Sequence, residues 1–359
     1  MMNRRQFSAA LAAAPIVSAM PGDPFPLRRG TNISHWLSQS KQRGPERKKY
    51  FQRSDVAFLA GLGLDHLRIP VDEEQLFTEA GAAEPEAFDL LNQALDWCDE
   101  FSLRAVVDLH ILRSHHFNEK EKPLWTKVEA QERFYECWRQ MSARLKTRSA
   151  LKVAYELMNE PVADDAEQWN VLIERCVKVV RGMEPERRLV VGSNRWQSYD
   201  TFDQLRVPAG DANIILSFHY YHPMVLTHYG ASWTKVGEYK GPVAYPGRLV
   251  PEESLRGLPE EVLKSMGVAR IVFDRTVIAA DMAKPAGVAR KLGLPLYCGE
   301  WGCIDRGPME ARVAWYEDMR RTLEDYGIGW ATWDYKGGFG VVKGGAPVRP
   351  VIRALGLRI

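Results

Sequence analysis

Residues 153–161 read Val-Ala-Tyr-Glu-Leu-Met-Asn-Glu-Pro, an apolar run that ends in an amide, a carboxylate and a proline. The first six residues are typical of a buried strand, and the proline prevents the strand from continuing. This pattern predicts that Glu160 lies where a barrel of parallel strands opens to solvent. A second apolar run, Leu294 to Gly299, is followed by Glu300 in the same way.

Eight short apolar runs of this kind occur between residue 29 and the end of the chain. Their apolar residues are nearly continuous rather than alternating, as expected for strands with both faces buried. The predicted strands are Gly30 to Trp36, Asp65 to Val71, Leu103 to His110, Val153 to Glu160, Leu189 to Asn194, Ile214 to Tyr221, Pro295 to Trp301 and Gly329 to Tyr335.

Amphipathic segments with helical periodicity separate many of these runs. They are Ala87 to Phe101, Glu129 to Lys146, Glu167 to Met183, Phe273 to Leu292 and Met309 to Tyr326. Eight strands alternating with helices predict an α/β fold, a (β/α)8 TIM barrel in a single domain. The longest irregular stretch, Tyr229 to Pro259, follows the sixth strand, and we expect it to form a wall of the active site.

The charges are nearly balanced, with 48 basic and 46 acidic residues and a formal net charge of +2. This balance argues against binding of nucleic acid or an anionic membrane through bulk charge. Apart from the leader described next, no stretch is long and apolar enough to predict a membrane helix or anchor. The sequence does not indicate an oligomeric state.

The N-terminus resembles a twin-arginine export signal. Asn3-Arg4-Arg5-Gln6-Phe7 precedes a short alanine-rich apolar stretch, and Val17-Ser18-Ala19 fits a cleavage site. We therefore expect a signal segment at residues 1–19 and a catalytic domain at residues 20–359, exported to the periplasm or secreted. The alternative is an ordinary basic N-terminus.

Five cysteines are present, and none forms a CxxC pair, which argues against a zinc ribbon or a thioredoxin-type site. Cys298 and Cys303 flank Glu300, and the sequence leaves open whether they form a disulfide.

Polar residues recur at the ends of the predicted strands, where the active site of such a barrel lies. Together these motifs resemble glycoside hydrolase family 5, the cellulase-like retaining β-glycosidases, from about Arg29 to the last strand. Its members have Arg at the second strand, His at the third, Asn-Glu-Pro at the fourth, His-x-Tyr at the sixth, Glu at the seventh and Trp at the eighth. The residues at these positions are Arg68, His110, Asn159, Glu160, His219, Tyr221, Glu300 and Trp333.

The resemblance implies that Glu160 is the acid/base and Glu300 the nucleophile in the cleavage of β-linked glucans. Carboxyl groups ~5–5.5 Å apart, as in retaining glycosidases, raise each other's pKa, so one stays protonated near neutral pH. Arg68 would hold a carboxylate ionised, unless it pairs with Asp72 or Glu73 instead.

The other matching residues are expected to bind sugar or to support the carboxyl groups. Asn159 is placed to bind a sugar 2-hydroxyl, and Trp333 offers an apolar face to a sugar ring. Tyr221 could donate a hydrogen bond to Glu300, and His219 could orient Glu160. His110 and five weaker candidates could contact sugar hydroxyls or rings; the weaker ones are Trp36, His116, Asn118, Trp196 and Trp233.

Several alternatives stay open. The chain could be a β-mannanase or an exo-β-glucosidase of the same family, a carbohydrate-binding barrel that no longer cleaves, or a metal-dependent barrel hydrolase. No HExxH motif occurs, and no HxH pair opens the first strand, so we predict no metal. The glycines of residues 337–340 lack P-loop spacing, so we predict no cofactor and a single partner, an oligo- or polysaccharide.

Overall fold

The computed structural model describes residues 25–359, so the predicted signal segment lies outside the described residues. Eight parallel strands close into a barrel, which confirms the predicted (β/α)8 fold. They are β1 (Arg29–Asn32), β2 (His66–Val71), β3 (Arg104–Leu109), β4 (Val153–Glu156), β5 (Leu189–Gly192), β6 (Ile214–Tyr220), β7 (Leu296–Trp301) and β8 (Gly329–Thr332).

All eight predicted strands are present, but three of them end at least three residues earlier than the sequence suggested. β1 ends at Asn32, β4 at Glu156 and β8 at Thr332. Most of the residues that follow remain buried, and several of their backbone N–H groups still bond to a neighbouring strand. Ile33 donates to the Arg68 carbonyl at 2.9 Å, Leu157 to the Val190 carbonyl at 3.2 Å and Trp333 to the Trp301 carbonyl at 2.8 Å. Apolar character therefore predicted the buried residues correctly but overestimated the length of the strands.

Helices surround the barrel and cover its outer face. They are α1 (Gly44–Tyr50), α2 (Arg53–Gly61), α3 (Pro85–Glu100), α4 (Val128–Leu145), α5 (Ala166–Arg181), α6 (Glu260–Met266), α7 (Arg275–Leu292), α8 (Met309–Asp325) and α9 (Arg349–Ala354). β5 is followed by a 3₁₀ helix, Tyr199–Gln204, instead of a full α-helix. All five helices predicted from periodicity are present within a few residues of their expected bounds.

The barrel interior is filled by one apolar cluster to which six of the strands contribute. Its members are Val106, Ala154, Val190, Ile215, Tyr297 and Ala331, and Phe25 packs with them. A larger apolar core lies between the strands and the surrounding helices. The polar residues described below lie on the same interior side, further toward the carboxyl ends of the strands, so the packed cluster forms the floor of the cleft.

The packing answers a question about the cysteines that the sequence left open. The cysteines are all buried and free, so Cys298 and Cys303 do not form a disulfide. Within residues 25–359, no helix combines the length and the apolar character needed to cross a bilayer.

Gly30 in β1 lets the barrel interior close around a histidine. A Cβ atom at this position would lie 2.3 Å from the ring of His66, which is itself bonded to the Tyr297 hydroxyl at 3.0 Å. We expect Gly30→Ala to lower the free energy of unfolding by about 1–3 kcal/mol, because the added methyl group overpacks a closed interior. Urea denaturation followed by circular dichroism would measure this change.

Gly287 provides the matched control, because it is an exposed residue of α7 with no atom within 4 Å of an added Cβ. Gly287→Ala should leave stability unchanged or raise it by up to about 1 kcal/mol through helix propensity. Equal effects of the two substitutions would contradict the close packing assigned to Gly30.

Candidate active site

A cleft of about 570 Å³ opens at the carboxyl ends of the strands. Its lining combines the carboxyl groups of Glu160, Glu300 and Asp305 with aromatic and polar side chains. The residues that line it include Gln39, His110, His116, Phe117, Asn118, Glu160, Tyr221, His228, Trp233, Glu300, Arg306, Trp333 and Phe339. A cleft with aromatic walls and a few convergent polar groups is typical of a small-molecule or glycan site.

The guanidinium group of Arg68 organises the floor of this cleft. Its side chain is 0% exposed and contacts carboxylates from three other strands. The contacts are to Asp108 at 3.0 Å, Glu156 at 2.6 Å and Glu300 at 2.7 Å, together with the amide oxygens of Asn32 and Asn159, both at 2.8 Å. Every guanidinium N–H of Arg68 that faces the cleft therefore has an acceptor.

The expected alternative partners of Arg68 lie elsewhere. Glu73 pairs with Arg113 at 3.1 Å and with Arg133 at 2.8 Å. Asp72 accepts a hydrogen bond from the backbone N–H of Gln39 at 2.7 Å. The alternative of a local ion pair for Arg68 is therefore wrong, and its contact with Glu300 is the one anticipated.

Negative charge exceeds positive charge in this buried network. Burial raises the pKa of Asp108 to about 7 and raises the pKa values of Glu156, Glu160 and Glu300. The Arg68 charge opposes each of these shifts, but one cation serves four carboxyl groups. Some of these groups therefore hold a proton near neutral pH.

Glu300 is the carboxyl group that the site favours in ionised form. Arg68 Nη1 donates to its Oε1 at 2.7 Å, and the Tyr221 hydroxyl donates to its Oε2 at 3.0 Å. Burial raises the pKa of Glu300, whereas the Arg68 charge and the Tyr221 hydrogen bond oppose that shift. A register shift between β6 and β7 pairs Glu300 directly with His219, which aims both side chains at the cleft.

Glu160 lies opposite, in surroundings that favour the protonated form. One of its oxygens lies within 4.8 Å of one Glu300 oxygen, and its Oε1 lies 3.0 Å from His219 Nδ1. Burial and then the charge of Glu300 raise the pKa of Glu160 well above its ordinary value. Burial holds the pKa of His219 well below its ordinary value, so the ring is neutral and places no positive charge beside Glu160.

Three more of the anticipated residues surround the pair. Asn159 accepts from Arg68, and its buried Nδ2 has no hydrogen-bond partner within residues 25–359. His110 Nδ1 lies 2.7 Å from Asp108, and its ring stacks on Trp333 with an interplanar angle of 7°. Both His110 and Trp333 line the cleft, so all eight residues of the expected set converge on one site.

Of the five weaker candidates, three line the cleft, one lies beside it and one does not reach it. His116, Asn118 and Trp233 line it, and Trp233 is 54% exposed. Trp196 lies next to this wall, 45% exposed, and its indole donates to the Phe117 carbonyl at 3.2 Å.

Trp36 was expected to contact sugar, and the structure corrects this. It is 1% exposed, packs on Phe51 and donates its indole N–H to the Arg47 carbonyl. The chain leaves β1 at Asn32, so Trp36 lies four residues beyond the strand end, in the outer core rather than at the mouth.

The sequence analysis missed several residues that line or support the site. Asp108 and Glu156 are carboxylates inside apolar strands, and a buried charge requires a partner, so both could have been flagged. Gln197 and Gln39 gave no such signal, since both lie in irregular segments. Phe117 and Phe339 also line the cleft, and an isolated aromatic residue in a loop does not reveal which surface it faces.

Glu160, His219 and Glu300 are also the group that could hold a metal ion, because one ligand atom from each lies within 4.8 Å of the others. The two carboxyl groups already have protein partners, namely Arg68 and Tyr221 for Glu300, and His219 for Glu160. A cation would have to compete with the Arg68 charge for Glu300. The donor set therefore fits a hydrogen-bonded carboxyl pair better than a metal centre.

Comparison with known proteins places this geometry in context. The family model Cellulase (glycosyl hydrolase family 5) matches residues 27–338. The chain is 30% identical over 315 residues to Endoglucanase C of Acetivibrio thermocellus, an alignment that covers 86% of this chain and 91% of that protein. It is 27% identical to Cellodextrinase A of Ruminococcus flavefaciens, covering 84% of this chain and 83% of that protein.

Solved structures show the same fold. The cellulose synthase subunit Z of Clostridioides difficile superposes with a TM-score of 0.75 at 24% identity, covering 92% of this chain and 99% of that chain. Cel5A of Thermotoga maritima in complex with cellobiose gives a TM-score of 0.73 at 22% identity, covering 92% of this chain and 97% of that chain.

The Tyr221 hydroxyl should lower the pKa of Glu300, because it donates to the carboxylate form. We expect Tyr221→Phe to raise the pKa of Glu300 by about one unit, the effect of losing one hydrogen bond to a charged group. The ionised state of Glu300 would then require a higher pH. A ¹³C NMR titration of glutamate-labelled protein, with the Glu300 signal assigned through Glu300→Gln, would measure the shift.

Tyr326→Phe serves as control, since the Tyr326 hydroxyl donates to the Ala279 carbonyl on the outside of the barrel. It should leave the Glu300 titration unchanged. An unaltered titration in Tyr221→Phe would rule out the electrostatic role assigned to that hydroxyl.

Proposed function

Because the chain belongs to glycosyl hydrolase family 5, the cellulase family, we propose that it hydrolyses β-linked glucans with Glu160 as acid/base and Glu300 as nucleophile. This assignment is supported by one observation: the two carboxyl groups face each other across one cleft. One oxygen of Glu160 lies within 4.8 Å of one oxygen of Glu300. A short separation fits direct attack by one carboxylate, whereas inverting enzymes need ~6.5–9.5 Å to admit a water molecule.

The first half of the reaction would form a covalent intermediate. The ionised Glu300 attacks the anomeric carbon, while Glu160 gives its proton to the glycosidic oxygen and the leaving sugar departs. The different surroundings of the two groups support this division, because Arg68 and Tyr221 hold a negative charge on Glu300 and burial holds a proton on Glu160.

The second half would release the product. Glu160, now ionised, takes a proton from water, and the resulting hydroxide attacks the anomeric carbon and displaces Glu300. Two inversions at the same carbon retain the β configuration. His219 supports both halves if its Nδ1–H donates to Glu160 Oε1, because the other Glu160 oxygen then carries the proton toward the glycosidic oxygen.

Sugar recognition would use the groups that still have unused bonding capacity. The unpartnered Nδ2 of Asn159 can donate to a 2-hydroxyl, a bond that strengthens in the transition state. Trp333, held in place by the stacked ring of His110, offers an apolar face to the sugar whose bond is cleaved. Trp233, Trp196 and His116 are the proposed contacts further along the chain of sugars.

The alternatives differ in substrate or in the loss of cleavage. A β-mannanase would accept an axial 2-hydroxyl next to Asn159, and an exo-β-glucosidase would release single sugars. A non-catalytic barrel is disfavoured because both carboxyl groups and their hydrogen-bond partners are in place. The choice among polysaccharides rests on the outer part of the cleft.

A substrate panel tests this function. We expect barley β-glucan and carboxymethylcellulose to be cleaved, with less activity on mannan, and the first product detected by ¹H NMR to be the β-anomer. An α-anomer as first product would contradict the double displacement, and preferential cleavage of mannan would favour the mannanase alternative. Product chain length would separate endo from exo action.

The carboxyl assignments are tested by Glu160→Ala and Glu300→Ala. We expect Glu300→Ala to abolish turnover and Glu160→Ala to lower it on unactivated glycans by about 10²–10⁴-fold, the usual contribution of a general acid. Glu129→Gln, which alters an exposed glutamate of α4, should retain wild-type activity. Wild-type turnover in either alanine variant would remove that residue from the mechanism.

Export by the twin-arginine route remains a prediction from the N-terminal motif. It is consistent with an enzyme whose polymeric substrate cannot enter a cell. N-terminal sequencing of protein from a periplasmic fraction should give a chain that begins near Met20, and full-length protein retained in the cytoplasm would contradict export.

A further inference from the structure

The backbone of Glu160 has a conformation that residues with a side chain rarely adopt. Its φ is +44°, in the left-handed region, where the Cβ of a residue other than glycine crowds the following carbonyl oxygen. Such a conformation persists only where surrounding contacts hold it. The side chain of Glu160 takes its direction from this backbone, so whatever holds the backbone also aims the carboxyl group.

The loop after β5 supplies these contacts. Asn194 exchanges two hydrogen bonds with the backbone of Ala163, at 2.9 and 3.1 Å, and the N–H of Trp196 donates to the Pro161 carbonyl at 3.2 Å. Three successive residues of the loop, 195 to 197, have positive φ values between 52° and 60°. This left-handed turn directs Trp196 outward to the rim and Gln197 into the barrel, where Gln197 is 0% exposed.

Gln197 bonds directly to the acid/base residue. Its Oε1 accepts from the backbone N–H of Glu160 at 2.8 Å, and its Nε2 donates to Glu156 Oε1 at 3.0 Å and to Ser217 Oγ at 3.2 Å. A Cβ on Gly192 would lie 2.3 Å from the Gln197 side chain, so the glycine at the end of β5 leaves room for it. The side chain is therefore fully bonded and tightly packed.

These bonds connect the two catalytic carboxyl groups behind the cleft. Glu156 accepts two hydrogen bonds from Arg68, at 2.6 and 3.1 Å, and Arg68 in turn donates to Glu300 at 2.7 Å. A continuous path thus runs from the Glu160 backbone through Gln197, Glu156 and Arg68 to Glu300. A shift of Gln197 would change the position of one carboxyl group relative to the other.

We propose that Gln197 is a positioning residue for the acid/base: its amide holds the left-handed backbone of Glu160 and ties it to the Arg68 network. This inference rests on the role proposed above for Glu160. An amide suits the position because it offers an acceptor to one neighbour and a donor to the other. A carboxyl group there could fill both roles only in its protonated form, which is favoured beside Glu156 because one cation already serves four carboxyl groups.

Leaving-group dependence separates positioning of the acid from a merely structural role. Hydrolysis of cellotetraose requires protonation of the leaving oxygen. The dinitrophenolate group of 2,4-dinitrophenyl β-cellobioside leaves without a proton. We expect Gln197→Met to lower the ratio of kcat/KM for cellotetraose to that for the dinitrophenyl substrate by about 10–100-fold, since small misplacement of a catalytic group costs up to about 10²-fold. Both values come from one preparation, so partial unfolding cancels from the ratio.

Two further variants make the result decisive. Gln197→Glu keeps an oxygen acceptor for the Glu160 N–H and should restore most of the ratio, and it also provides the measurement if Gln197→Met fails to fold. Gln204→Met, an exposed glutamine of the following 3₁₀ helix, should match the wild type. An unchanged ratio in Gln197→Met, or an equal loss in the methionine and glutamate variants, would overturn the proposal.

Glu160→Ala in the same assay tests the proposed function separately from the positioning role of Gln197. If Glu160 is the acid, its alanine variant changes the substrate ratio more strongly than Gln197→Met. A Glu160→Ala ratio equal to that of the wild type would refute the proposed function itself. The expected change in Glu160→Ala with no change in Gln197→Met would refute the positioning role alone.

Discussion

One buried arginine holds the site together. Arg68 has no access to solvent, and its guanidinium contacts carboxylates from β3, β4 and β7 together with two amide oxygens. Removing a cation from water is costly unless close, well-aligned acceptors replace the solvent, and here they do so on every side. The barrel makes this possible, because strands far apart in sequence converge around its axis and place their inward residues within reach of one fork.

The excess of carboxyl groups over cations then determines how protons are distributed. Glu300 has the arginine and a tyrosine hydroxyl as donors, whereas Glu160 has a neutral histidine. The pKa of Glu160 is therefore raised more strongly than that of Glu300, although the two side chains are chemically identical. The proposed division into nucleophile and acid would then follow from their neighbours rather than from anything intrinsic to glutamate.

The loops add the precision that the barrel alone does not provide. Glu160 lies four residues beyond the last residue of β4, where no ladder partner fixes its backbone. The loop after β5 takes over that task through Asn194, Trp196 and Gln197. It follows the one barrel strand without a full α-helix behind it, and a 3₁₀ helix leads the chain back instead. Strand ends therefore supply the reactive groups, and a neighbouring loop supplies their orientation.

Sequence alone determined the barrel and most of the residues that converge on its cleft, because apolar runs mark buried strands and polar groups at their ends have few other reasons to be there. It also located Arg68, Glu160 and Glu300 through motifs that are local in the chain. It failed for Trp36, which packs outside the mouth, and for Gln197, whose partners Glu160 and Glu156 are about forty residues away. Only the tertiary structure decided which carboxyl group faces a cation and which backbone segment needs support. Both depend on contacts between residues that are far apart in the sequence and meet only in the closed barrel.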